Sequence, residues 1–218
     1  MNKPSNGTPR NGTPRGSAPR TGGARNPSSN VNRNTGPGRV RIVGGRWRGT
    51  RLEVPDVAGL RPTSDRVRET LFNWLQPVLP GARVLDLFAG TGALGLEAVS
   101  RGAASAVLFE RDPTLAAALT ATASRLSGGE VVSVQRGDAV SMASVLPTGS
   151  IDVAFVDPPF AADMWAQAFA ALAPALATDA WLYVESKAEA PALPGAGWQL
   201  HRELQTREAH CALYRRAG

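Results

Sequence analysis

Apolar and polar positions change rhythm along the chain. Residues 1–39 hold almost nothing apolar: Gly, Pro, Ser, Thr, Asn and Arg, with the five-residue echo NGTPR-NGTPR-GSAPR-TGGAR. Such a stretch buries too little apolar surface to offset its ordering entropy, which predicts a disordered tail and a folded part beginning near Val40. From Val40 the period is two. Val40 and Ile42 fall on one face; after GGRWRG, Leu52 and Val54 fall on another, with Arg41, Arg51 and Glu53 opposite, which predicts a β-hairpin. The period then lengthens. Pro62-Thr63-Ser64-Asp65 supplies capping residues, and Val67, Leu71, Trp74 and Leu75 follow at helical spacing until Pro77 stops the helix.

From Arg83 onward the alternation becomes regular. Apolar strands are predicted at 83–88, 106–110, 131–135, 151–156 and 180–185, with Ala-rich helices near 93–101, 113–127, 139–146 and 163–177. Nearly continuous apolar strands alternating with helices predict an α/β, doubly wound Rossmann-like sheet, mostly parallel and covered on both faces. Residues 198–204 and 211–215 follow without a helix between them, so they should form a C-terminal antiparallel hairpin closing the sheet. The expected organisation is a basic tail at 1–39, an extension of hairpin and helix at 40–80, and the doubly wound domain at 81–218.

The first strand runs into a glycine-rich turn, Val84-Leu85-Asp86-Leu87-Phe88-Ala89-Gly90-Thr91-Gly92-Ala93-Leu94-Gly95. In such sheets ligands bind at the carboxyl ends of the strands, and Gly90 and Gly92 permit the tight bend and close backbone approach. The spacing G-x-G-x-x-G also suits a dinucleotide, but Asp86 would place an anion where a pyrophosphate must sit. S-adenosylmethionine has no phosphate and carries a sulfonium and an ammonium, so an acid beside the turn favours it. Glu110, ending the second strand, can accept from both ribose hydroxyls. Asp138 after the third can accept from an adenine amine, with Ala139 small enough to let the ring lie flat. Phe88 and Arg111, beside these acids in the chain, are counted with the cofactor positions. The plainer reading of each acid is an ordinary loop residue; their recurrence at successive strand ends argues for the site.

After the fourth strand stands Asp157-Pro158-Pro159-Phe160. Two prolines alone make a rigid loop. The flanking carboxylate and aromatic suggest more. The Asp157 carboxylate and the Pro158 carbonyl can each accept one N–H of an exocyclic base amine, aiming its nitrogen for in-line displacement. Pro159 keeps the loop from folding inward, and Phe160 offers a stacking face worth about 1–3 kcal/mol. Catalysis would then rest on positioning and electrostatics. A base within a duplex cannot reach such a pocket, so it must be unpaired or flipped out. The motif does not separate adenine N6, cytosine N4 and guanine N2.

Charge adds a partner. The net +6 resides in the N-terminal third: residues 1–39 carry seven cations and no acid, and residues 40–69 carry seven Arg against four acids. Arg41, Arg46, Arg48, Arg51, Arg61, Arg66 and Arg68 form a plausible phosphate track. Trp47 can stack on an unpaired base or pack the hairpin onto the domain, and Arg61 and Arg66 are alternatively placed to cap the cofactor cleft. Cys211 is the single cysteine and there are two histidines, which excludes a disulfide and a thiolate metal cluster and argues against any metal. No apolar run suits a membrane span or signal peptide, so a cytoplasmic protein is expected; no oligomer interface is legible in the sequence, and a monomer is assumed.

The segments RIVGGRWRGTRLEVP (41–55), LRPTSDRVRETLFNWL (60–75), LDLFAGTGALGLEAVSRGA (85–103) and FVDPPF (155–160) closely resemble the bacterial 16S ribosomal RNA guanine-N2 methyltransferases of the RsmD type. The resemblance covers about 40–216, and its first two segments are far more specific than the glycine turn. It implies a class I methyltransferase fold and transfer of one methyl group to the N2 of a guanine in small-subunit RNA, within an assembled or assembling particle. It also implies that Asp157 to Phe160 form the catalytic loop and that Asp86, Gly90, Gly92, Glu110 and Asp138 hold the donor. The hairpin and the Arg-rich start of the next helix match the family's RNA-binding region, whereas the long basic tail departs from its short N-terminus. The competing readings are a DNA or RNA adenine-N6 methyltransferase using the same loop, a nicotinamide-dependent oxidoreductase and a non-catalytic RNA-binding assembly factor.

Overall fold

The computed structural model describes residues 40–53 and 63–217. The expected tail 1–39, together with Val54 and Arg61, lies outside the described residues.

The chain opens with a short hairpin, β1 (Val40–Arg41) and β2 (Arg51–Leu52), paired antiparallel with Val40 opposite Leu52 and Arg41 opposite Arg51. The two apolar residues are buried and the two arginines exposed, as the alternation requires. Helix α1 (Asp65–Leu75) starts at the expected cap, where the Ser64 hydroxyl accepts from the Val67 N–H at 3.3 Å. It buries Val67, Leu71, Phe72 and Leu75 on one face.

The main sheet comprises β3 (Arg83–Asp86), β4 (Ser105–Glu110), β5 (Val132–Arg136), β6 (Ile151–Val156), β7 (Leu176–Lys187), β8 (Trp198–Gln205) and β9 (Ala209–Arg216). Their order is β5-β4-β3-β6-β7-β9-β8; the first five are parallel, and β9 runs antiparallel between β7 and β8. The chain winds outward from β3 through β4 and β5, then returns to add β6 on the other side. The junction of β3 and β6 is therefore the point where strand order reverses and loops diverge to leave a crevice.

Helices α2 (Ala93–Ser100), α3 (Pro113–Arg125), α4 (Ala139–Ala143) and α5 (Trp165–Leu172) connect the parallel strands. Alternation along each strand feeds two cores. Val84, Val153, Phe155 and Tyr183 join the hairpin, α1 and α2, while Leu85, Ala154, Val156 and Leu182 join Trp165 and Leu172 of α5. The expected helix over 163–177 stops at Leu172, and β7 starts well before 180, at Leu176. The Ala-rich sequence there reads as helix, but Leu176 pairs with Ile151 and a register shift follows between Ile151 and Val153.

Candidate functional site: a carboxylate-lined cleft at the strand ends

The turn after β3 is shaped by Gly92, which caps α2 in a left-handed conformation (φ +74). A Cβ there would also meet the end of the Leu119 side chain, so the left-handed backbone, more than the packing, calls for glycine. Asp86 ends β3 almost fully buried, and its Oδ2 accepts from the Gly95 N–H of α2 at 2.9 Å. Burial pushes this carboxyl up to about 7; the charge of Glu110 adds to the rise, and the N–H groups of Gly95 and Phe88 oppose it.

Glu110, at the end of β4, bridges two loops. Its Oε2 accepts from the Gly90 N–H at 2.8 Å and its Oε1 from the Asp112 N–H at 2.7 Å. Asp112 in turn caps α3, accepting from the Thr114 and Leu115 N–H groups. Asp138 follows β5 as the exposed cap of α4. Its Oδ1 accepts from the N–H and the hydroxyl of Ser141, which hold its carboxyl below the usual range. Ala139 is buried, Phe88 is half-buried against the second core, and Arg111 is exposed.

Asp157 and its prolines leave β6 on the other side of the strand-order reversal. Pro158 is buried and Pro159 exposed. The Phe160 ring lies 6.0 Å from that of Trp165, tilted by 42°. Asp157 is half-buried, and burial, then Glu185, then Asp86 push its carboxyl well above the usual range. Its Oδ2 lies 3.5 Å from the Thr63 hydroxyl, and the same hydroxyl lies 3.1 Å from Oε2 of Glu185. The Tyr183 hydroxyl donates to that Glu185 oxygen at 2.9 Å, and the Trp165 indole N–H donates to the Glu185 carbonyl, also at 2.9 Å.

The structure thus brings Asp86, Gly90, Glu110 and Asp157 close together at neighbouring strand ends, with Asp138 and Ala139 at the next strand end. Three members of this region were missed in the sequence: Thr63, Tyr183 and Glu185. Glu185 carries the signal used for Asp86, Glu110 and Asp138, an acid near the carboxyl end of a parallel strand, and that rule applied to β7 would have found it. Thr63 meets its partners across 94 and 122 residues, and no local pattern announces that.

The expected RNA-contacting set divides. Arg41, Arg46, Arg48, Arg51 and Arg66 are exposed. Arg41 pairs with Asp65 at 2.9 Å, and Arg46 lies over the Trp47 ring while donating to the Gly128 carbonyl. Arg68 is a correction. It is fully buried, donating to the carbonyls of Thr63 and Arg41 and to Asp65, with Glu97 3.8 Å away, and so cannot meet a phosphate. Trp47 is corrected likewise: it is buried and its indole N–H donates to the Ser127 carbonyl at 3.0 Å, so it packs the hairpin rather than stacking on a base. Glu97, unanticipated and fully buried, accepts from the Val43 and Gly44 N–H groups and pins the hairpin to α2.

Among the described residues no group of three or more His, Cys, Asp or Glu is placed to hold a metal ion, and no helix is long and apolar enough to cross a membrane.

The family described as conserved hypothetical protein 95 matches residues 40–215. The chain is 46% identical over 186 residues to the ribosomal RNA small subunit methyltransferase D of Escherichia coli, spanning 84% of this chain and 92% of that protein. The protein of the same name from Haemophilus influenzae is 39% identical over 183 residues, spanning 81% of this chain and 94% of that one. A solved structure from Escherichia coli described as a methyltransferase superposes with a TM-score of 0.73 at 44% identity, covering 82% of this chain and 98% of that one.

Proposed function

The chain belongs to the family described as conserved hypothetical protein 95, the small-subunit ribosomal RNA methyltransferases of the RsmD type, and from that premise we propose that it methylates the exocyclic N2 of a guanine. It is a ribosomal RNA methyltransferase with a class I fold. S-adenosylmethionine as donor, the guanine N2 target, the residue roles and a cytoplasmic site of action are our reading.

The observation that carries this reading is the position of Asp157-Pro158-Pro159-Phe160 at the end of β6, directly across the strand-order reversal from Asp86 and the glycine turn. The donor fits the residues present. Carboxylates cluster at these strand ends, and Asp157 and Glu185 form no ion pair with Lys, Arg or His among the described residues. A cationic ligand relieves that concentration of negative charge, whereas a pyrophosphate would intensify it. Asp86 would favour the ligand's positive groups, Glu110 keeps lone pairs for ribose hydroxyls, and Asp138 with Ala139 would accommodate the adenine. When bound, the donor supplies a methyl carbon made electrophilic by a positively charged sulfur.

The protein's own task is to present the amine. The Asp157 carboxylate and the Pro158 carbonyl would accept its two N–H groups, raising electron density on nitrogen and fixing its direction. Phe160 would support the base plane. The exposed arginines of the hairpin and α1 would hold flanking phosphates, with Arg68 and Trp47 maintaining the hairpin that presents them.

The test is to offer labelled S-adenosylmethionine with under-methylated small ribosomal subunits, free ribosomal RNA and DNA, and to identify the modified nucleoside by mass spectrometry. N2-methylguanosine from the ribosomal substrate is expected. N6-methyladenosine, or label in DNA, would overturn the assignment in favour of the adenine reading.

A further inference from the structure

Methylation of an amine releases a proton. The nitrogen forms a bond to the methyl carbon as the carbon–sulfur bond breaks, the sulfur keeps that bond's electron pair, and one N–H proton must then leave the nitrogen. Building on the function proposed above, we propose that Asp157 and Glu185 act as a single proton-accepting unit joined by the Thr63 hydroxyl, with Asp157 nearest the amine and Glu185 behind it.

The hydrogen-bond inventory supports this. The Thr63 hydroxyl sits between Oε2 of Glu185 at 3.1 Å and Oδ2 of Asp157 at 3.5 Å. It owns one hydrogen and can donate to one carboxylate at a time. With both acids ionised, the other carboxylate faces the hydroxyl's lone pairs. One added proton completes the chain: the protonated carboxyl donates to Thr63, and Thr63 donates to the remaining carboxylate. The pair is thus built to take up one proton and share it.

The surroundings point the same way. Asp157 is faced by Glu185 and Tyr183 of β7, Asp86 of β3, Cys211 of β9 and Thr63 ahead of α1, with Glu110 of β4 beyond Asp86; none of these is a cation. Two negative charges side by side, without a compensating cation among the described residues and partly removed from water, make a strong proton acceptor. Tyr183, fully buried, donates to Glu185 and steadies the inner charge, while the Trp165 indole holds the Glu185 backbone. The proton taken by Asp157 passes through Thr63 to Glu185, and the pair returns it to solvent when product leaves. Glu185 touches neither base nor donor in this scheme; it is a positioning residue acting through Asp157.

The experiment compares wild type, Glu185→Gln, Thr63→Val and Thr63→Ser. Single-turnover methylation of under-methylated small subunits is followed across pH at saturating S-adenosylmethionine, with melting temperature and donor affinity as folding controls. Removing the Glu185 charge leaves Asp157 a weaker acceptor with a lower titration midpoint. The plateau rate of Glu185→Gln should fall about 10- to 100-fold, and its acid limb should move down by about one pH unit. Thr63→Val should lose a similar factor and Thr63→Ser should recover it. In the ligand-free protein, ¹³C NMR of labelled carboxyls should show Asp157 and Glu185 titrating as a coupled pair, with the Asp157 midpoint lowered in Glu185→Gln. A folded Glu185→Gln whose acid limb stays in place reduces Glu185 to structural support and overturns the proposal, whatever its plateau. Should that variant not fold, independent single-site titration of the two carboxyls in wild type would overturn it equally. Failure of wild type to form N2-methylguanosine would instead sink the functional reading beneath it.

Discussion

Replacing Glu97 with alanine should detach the N-terminal hairpin from the body of the protein. The Glu97 side chain is fully buried, and its two oxygens accept from the Val43 N–H, the Gly44 N–H and the Arg101 guanidinium, each at 2.7 Å. Arg68, itself fully buried, lies 3.8 Å away. Alanine removes the acceptor for two backbone amides and leaves Arg68 balanced by Asp65 alone. Breaking a buried ion pair from one side costs about 3–5 kcal/mol, and each amide left dry adds roughly 1–3 kcal/mol. Val43 and Gly44 are only half-buried, so water can reach them, which favours the low end of these ranges. A loss of about 4 kcal/mol follows, or a fall in Tm of about 8–16 °C for a fold of this size. Glu97→Gln, which keeps one acceptor and loses the charge, should cost about half as much. Urea unfolding measures the stability, and amide exchange at Gly44 and Trp47 reports on the hairpin directly. A loss below about 1 kcal/mol, or unchanged amide protection, would refute the view that Glu97 holds the hairpin.

Four further outcomes are expected. Asp157→Ala should lose on the order of 10²–10³ in turnover while still binding S-adenosylmethionine, as when one preorganised polar contact is removed; near-normal methylation would reject the loop chemistry. Asp86 titrates at about 7 in the fold against an ordinary value of 3.8, so the native state holds its proton more tightly than the unfolded chain. Its contribution is therefore present below pH 4 and lost as pH climbs through 7, and Asp86→Asn should gain on wild type between pH 5 and 8 in urea unfolding, the reverse trend counting against the burial argument. Donor affinity measured by calorimetry should rise with pH through 7 in wild type, and less steeply in that variant. Deleting residues 1–39, with seven cations and no acid, should leave donor affinity unchanged, weaken RNA binding and flatten its salt dependence; a salt slope equal to that of the full chain would show the tail to be idle.

Much of the architecture was determined by the order of side chains alone. A strand buried on both faces must be apolar over most of its length, so β6 (Ile151–Val156), apolar but for the half-exposed Asp152 near its start, could be read to the residue. The glycine turn after β3 and the loop Asp157–Phe160 after β6 were likewise legible, because local backbone geometry and chemistry demanded those residue types within a few positions of one another. Where the cue was a preference rather than a requirement, neighbours decided. Residues 176–179 became strand because Leu176 has Ile151 to pair with. Arg68 resembles any surface arginine on a helix; only the approach of Glu97, Asp65 and the Arg41 carbonyl makes its burial tolerable. Trp47 was equally able to face RNA or core until the Ser127 carbonyl offered its indole a buried acceptor. The joining of Asp157 to Glu185 through Thr63 belongs to tertiary structure entirely. Carboxylates that repel each other are brought together by the winding of the sheet, and the energy of that proximity is invisible to any pattern along the chain.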